Sequence, residues 1–94
     1  MKNMERNLDE ESLKINSEIA AYFYNKALTY DSDEKKKFRA ISLRKAAQAI
    51  ENLDRGLDEI YKKSWLTGLQ KIDGVGAKLA RSIEAELNKR GIKK

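Results

Sequence analysis

Between Ile72 and Ile83 the chain reads Ile-Asp-Gly-Val-Gly-Ala-Lys-Leu-Ala-Arg-Ser-Ile, and no other stretch restricts the fold as tightly. Two glycines one residue apart follow the apolar Ile72 and precede an amphipathic run. Gly74 and Gly76 permit positive φ and leave the backbone without side chains, so that a flat ligand can approach closely. Leu79, Ala80, Ile83 and Leu87 recur at helical spacing, which predicts a helix over 76–90 ended by Gly91. The first N–H groups of that helix lack intrahelical partners, and its dipole favours an anion. A Gly-x-Gly alone marks many ordinary tight turns. Here Ile72, Val75, Leu79, Ala80 and Ile83 supply a consistent apolar register around it. Anion binding is the functional reading, and a purely structural hairpin is the alternative.

The rest of the chain agrees with a small helical protein. With 94 residues, 40% of them hydrophobic, it suffices for one core, and 37% charged residues give a heavily solvated surface. Cysteine and histidine are absent, which excludes disulfides, thiolate or imidazole zinc sites and imidazole catalysis. No apolar run approaches the roughly 18 residues of a membrane span, and the charged start is no signal peptide. The expectation is a soluble intracellular monomer, cytoplasmic and nucleoid-associated, or nuclear in a eukaryote. Its net charge of +5 is unevenly placed. Residues 1–34 hold four Lys/Arg against eight Asp/Glu, whereas residues 35–94 hold sixteen against seven. The basic excess thus travels with the glycine turn, as on a nucleic-acid surface. A merely soluble, lysine-rich chain is the alternative.

Residues 1–15 show no convincing periodic face and are expected to form an acidic, mixed arm, frayed or disordered. From Asn16 or Ser17, both good N-caps, a helix is predicted to about Tyr30, burying Ile19, Ala20, Phe23, Ala27 and Tyr30. Tyr22-Phe23-Tyr24 suggests base stacking, but Phe23 fits the core, with the tyrosines at its margin. A second helix over 34–53 carries Leu43, Ala46, Ala47, Ile50 and Leu53, with Arg39 in the same register. Lys35-Lys36-Lys37 reads as a solvated face. Gly56 is a candidate C-cap. Short helices over 57–62 and 65–71 follow, with Trp65 assigned to packing. The chain has no proline and no repeat. The predicted fold is all-α, a compact bundle of four to five helices with one helix-hairpin-helix motif.

The order Asn16-x-Glu18-Ile19-Ala20, Phe38-Arg39, Arg44-Lys45-Ala46-Ala47-x-x-Ile50, Leu57-x-x-Ile60-Tyr61 and then the hairpin resembles the amino-terminal domain of family X DNA polymerases. The resemblance covers about residues 16–90. It implies a polymerase-beta-like helix-hairpin-helix domain over 16–91, followed by a basic tail, 92–94. It further implies a four-helix fold that binds gapped or single-stranded DNA and holds a 5′-phosphate. The carbonyls of Gln70, Ile72 and Val75 would hold a monovalent cation, Na+ or K+. Arg39 and Lys78 match the phosphate-pocket lysines, and a guanidinium binds phosphate bidentately. Phe38 matches a base-stacking histidine, although it is also good core material. The family's lyase uses a lysine that forms a Schiff base with an abasic sugar, and here that position is Ser82, which cannot form an imine. Leu43 replaces the assisting tyrosine and Gln70 a second pocket lysine.

The first functional expectation is therefore a non-enzymatic, largely sequence-independent DNA-binding module of repair or replication. Gly74, Val75, Gly76 and Ala77 would offer N–H groups to phosphate, with charge from Lys78, Arg81, Arg39, Lys45 and Lys71. The alternative is a protein-interaction domain of a polymerase or nuclease complex. A third reading is a 5′-deoxyribose-phosphate or AP lyase working through Lys78.

Overall fold

The structure, a computed structural model, describes residues 8–93. These residues form four α-helices and one short 3-10 turn, with no strand among them. The helices are α1 (Glu10–Tyr30), α2 (Lys37–Glu51), α3 (Leu57–Gln70) and α4 (Ala77–Lys89), and the 3-10 turn Glu34–Lys36 leads into α2. The all-α bundle is as expected.

Helix α1 starts at Glu10 rather than at Asn16 or Ser17, because Asp9 caps it by accepting the Ser12 N–H at 2.8 Å. Glu10 and Glu11 then place negative charge on the positive end of the dipole. Of the arm expected over 1–15, residues 10–15 are thus helical, and residues 1–7 lie outside the described residues. Asn16 does not cap its own helix; it caps another. Its Oδ1 accepts the Leu57 N–H at 2.8 Å and its Nδ2 donates to the Arg55 carbonyl at 2.9 Å. Beside it, the Ser12 hydroxyl donates to Asp58 at 3.0 Å. Gly56 is consequently the N-cap of α3, not the C-cap of α2, which is Asn52. A Cβ on Gly56 would lie 2.5 Å from the Ser12 hydroxyl, so only glycine lets α1 come this close.

Helices α1 and α2 run antiparallel, as the cross-links show: Asp31 pairs with Arg44, and the Tyr24 hydroxyl donates to Glu51 at 3.0 Å. Between them Ile19, Ala20, Phe23, Ala27, Ala46, Ala47 and Ile50 are fully buried. The four alanines keep this interface thin. The predicted core positions agree, with Tyr30, Leu53, Ile60 and Leu79 half-buried at the edge.

Helix α3 is two helical segments joined at Trp65, whose φ of 56° and ψ of −144° are non-helical. This matches the two short helices predicted. A tryptophan at positive φ is strained by about 1–3 kcal/mol, which the surrounding packing must offset. Trp65 meets the buried Tyr61 edge-on at 5.2 Å between centroids. The Tyr61 hydroxyl in turn donates to Glu84, and this bond, with burial, raises the phenol above its ordinary pKa. Helix α4 closes with Gly91 at φ +83° and the Ile92 N–H donating to the Leu87 carbonyl at 3.0 Å, a Schellman end.

Candidate functional site

The turn between α3 and α4 is built from the inside outward. Ile72 and Val75 are buried, and the Val75 N–H donates to the Ile72 carbonyl at 2.9 Å, closing the turn. That N–H is therefore not available to a ligand, contrary to the expectation for Val75. Gly74 uses the conformational freedom of glycine at φ +81°, and a Cβ built on it would lie 3.8 Å from the Lys45–Ala46 backbone, so the turn faces α2. Gly76 does not use that conformational freedom. Its φ of −93° and ψ of −168° are extended backbone open to any residue. Its value lies in what is missing: a Cβ there would meet nothing within 4 Å, so the space before α4 is open.

The first main-chain bond of α4 is Ala80 N–H to the Gly76 carbonyl at 2.9 Å, and no side chain caps the helix. The N–H groups of Ala77 and Lys78 therefore have no acceptor in the helix. The start of α3, by contrast, is filled by Asn16.

This bare helix end opens on a cleft of about 500 Å³. Phe23, Lys26 and Tyr30 of α1 form one wall, and Phe38, Arg39, Ser42 and Leu43 of α2 form another. Gly74, Gly76, Ala77, Lys78, Leu79 and Ser82 complete it. Of the sequence-predicted site residues, Arg39, Gly74, Gly76, Ala77 and Lys78 thus converge. Arg39 occupies its odd register because that stripe of α2 leaves the core and enters the cleft. Lys45, Lys71, Arg81 and Gln70 are exposed but do not line it. Ser82 does line it, its hydroxyl 3.5 Å from the Lys78 carbonyl.

Phe38 is not core material. It is 82% exposed at the cleft edge, where its ring faces solvent rather than the core. Lys26 is the residue that the sequence reading missed, since it belongs to the acidic half. Its spacing of three from Phe23 and four from Tyr30 could have found it, because that puts all three on one face of α1.

The electrostatics favour an anion here. Among the described residues, Lys26, Arg39 and Lys78 have no carboxylate in ion-pair range, whereas Lys37, Arg44, Lys89 and Arg90 are paired to Glu34, Asp31, Glu86 and Glu18. The Arg44 hydrogen bond holds the Asp31 carboxyl below its ordinary pKa. Three cations without an ion pair thus converge on the cleft.

For a monovalent cation, the donor set is of the right kind. Gln70 ends α3, where carbonyls lack intrahelical donors, and the Ile72 carbonyl retains a second lone pair after accepting Val75 N–H.

The two glycines separate stability from binding. Gly74→Ala should lower stability by about 1–2 kcal/mol, because a Cβ at φ +81° is strained although it has room. Gly76→Ala should change stability by less than about 0.5 kcal/mol, yet weaken anion binding by filling the open space. Thermal melts and a titration on both variants check this; equal melting temperatures would refute the assignment of Gly74.

Fold and site together define a compact all-α domain that presents a bare helix end on a glycine hairpin, flanked by unpaired cations. The family model described as helix-hairpin-helix domain matches residues 14–91, and the chain belongs to that family. Membership points to nucleic-acid binding in general. Neither the curated proteins nor the solved structures contain a match.

Proposed function

We propose that this protein binds DNA through the sugar-phosphate backbone, at gaps, single strands or 5′-phosphate ends, as a family X polymerase-like module of repair or replication. One observation carries the reading: Arg39 from α2 and Lys78 from α4 flank the uncapped start of α4 across one cleft. A terminal phosphate there accepts from the Ala77 and Lys78 N–H groups and from the guanidinium, while Phe38 offers a π-face to an adjacent base. Such contacts position a backbone without reading sequence. The carbonyls of Gln70, Ile72 and Val75 are the proposed seat of Na+ or K+, which would add a positive charge beside the phosphate.

The module is proposed to be non-enzymatic, because the hydroxyl of Ser82 cannot form an imine. Borohydride trapping on an incised abasic duplex tests that part, and a covalent adduct would overturn it. The alternative, a docking module for a polymerase or nuclease partner, draws on Leu28 and Ile41, which are 62% and 47% exposed outside the cleft.

The decisive experiment is a residue-resolved NMR titration with a gapped duplex, with and without a 5′-phosphate. Shifts at Gly74–Ser82 and Arg39 that grow with the phosphate are expected; none at low salt would sink the reading in favour of a protein partner. Salt offers a second check. With about four phosphates neutralised, the slope of log K against log salt should be roughly −3.6, about a hundredfold loss between 50 and 200 mM.

A further inference from the structure

We propose that α1 carries a track for single-stranded DNA that leads out of the cleft along Tyr30, Lys26 and Tyr22, with Lys36 beside its inner end. The inference rests on the DNA-binding reading and extends it to a surface drawn from the acidic half of the chain.

The observations are geometric. Tyr22, Lys26 and Tyr30 follow one another at four-residue intervals on a continuous helix, so they share one face. Lys26 and Tyr30 line the cleft, and Tyr22 lies one turn further out. The Lys26 ammonium sits 5.6 Å from the Tyr22 ring centroid, and the Lys36 ammonium 5.3 Å from that of Tyr30. Aromatic rings and ammonium groups therefore alternate along the helix. Rings accept bases on their faces, and cations between them meet the phosphates; this is the arrangement that binds single strands without reading them.

The carboxylates nearby are engaged elsewhere. Glu18, one turn beyond Tyr22, is held by Arg90 at 3.1 Å. Asp33 accepts the Lys35 N–H at 2.9 Å, and Glu34 pairs with Lys37 at 3.8 Å. Lys26 and Lys36 have no ion-pair partner among the described residues, so the track keeps two unpaired cations although residues 1–34 are acidic as a whole. From Tyr22 to Tyr30 the helix rises about 12 Å, which at a stacked rise of about 3.4 Å per nucleotide accommodates about three nucleotides. A duplex is too wide and stiff to expose its base faces to these rings.

The test compares two probes on the full chain, a 5′-phosphorylated hexathymidylate and a blunt 5′-phosphorylated duplex. The double variant Tyr22→Leu, Lys36→Gln alters only positions outside the cleft, and thermal melting confirms that it folds. It should lose at least about tenfold in affinity for the hexathymidylate and keep wild-type affinity for the duplex. In the wild type, affinity should rise from di- to tetrathymidylate and then level off. Equal losses on both probes, no loss on either, or no dependence on length would overturn the track while leaving the cleft reading intact. Failure of the wild type to bind either probe would overturn both.

Discussion

Replacing Arg39 and Lys78 together by alanine should cost at least about a hundredfold in affinity for a 5′-phosphorylated gapped duplex at moderate salt. Each removes a hydrogen bond between charged groups, worth about 1.5–3 kcal/mol, from opposite walls of one cleft. Neither side chain supports the fold: both are exposed and neither has an ion pair among the described residues. The melting temperature should therefore stay put while binding falls. The salt slope should also become shallower by about two, since two phosphates lose their partners. Removing Arg81 and Lys71, which lie outside the cleft, should lower affinity far less and independently of the 5′-phosphate. Fluorescence anisotropy over a salt series reads all of this. Equal effects from the two pairs of substitutions would mean that the cleft is not where the phosphate binds.

The largest effect on stability should come from a polar residue. Asn16→Leu fits an apolar side chain of similar size between α1 and α3 but abandons two main-chain groups, the Leu57 N–H and the Arg55 carbonyl. A buried donor or acceptor left without a partner costs about 1–3 kcal/mol, so the substitution should cost about 3 kcal/mol in total. For a domain of this size that is a fall of roughly 12–24 °C in Tm. Asn16→Asp keeps the acceptor for Leu57 and puts a carboxylate at the positive end of α3, so it should recover about half of the loss. Ser17→Ala, one residue along and exposed, should be neutral. If Asn16→Leu melts with the wild type, the cross-helix cap is not formed.

These two residues also mark where sequence is legible and where it is not. Arg39 stood out because a charge interrupted an apolar register, and the cleft explains why. The apolar positions of α1, α2 and α4 were readable for the same reason: burial between helices imposes a period. Asn16 and Ser12 were opaque because they are buried through hydrogen bonds to α3, and a pattern of hydrophobicity cannot register polar partners some forty residues away. That is why α1 begins earlier than its apolar stripe suggests. Val75 was half legible, since its burial follows from its type, but the use of its N–H to close the turn depends on backbone geometry. Lys26 was hidden by averaging: its neighbours make the segment acidic, whereas the field at the cleft depends on which carboxylates are already paired. Phe38 admitted two readings, and only its exposure separates them.

Trp65 is the single tryptophan of the chain, and it lies beside the buried Tyr61 rather than along the cleft. The molecule thus contains an optical gauge wired to its folding and insulated from its ligand. Its emission should shift when the kinked helix melts and stay quiet as nucleic acid fills the cleft. A labelled oligonucleotide in the same cuvette then reports occupancy on a separate channel, so that a variant which binds poorly is told apart at once from one which has come apart.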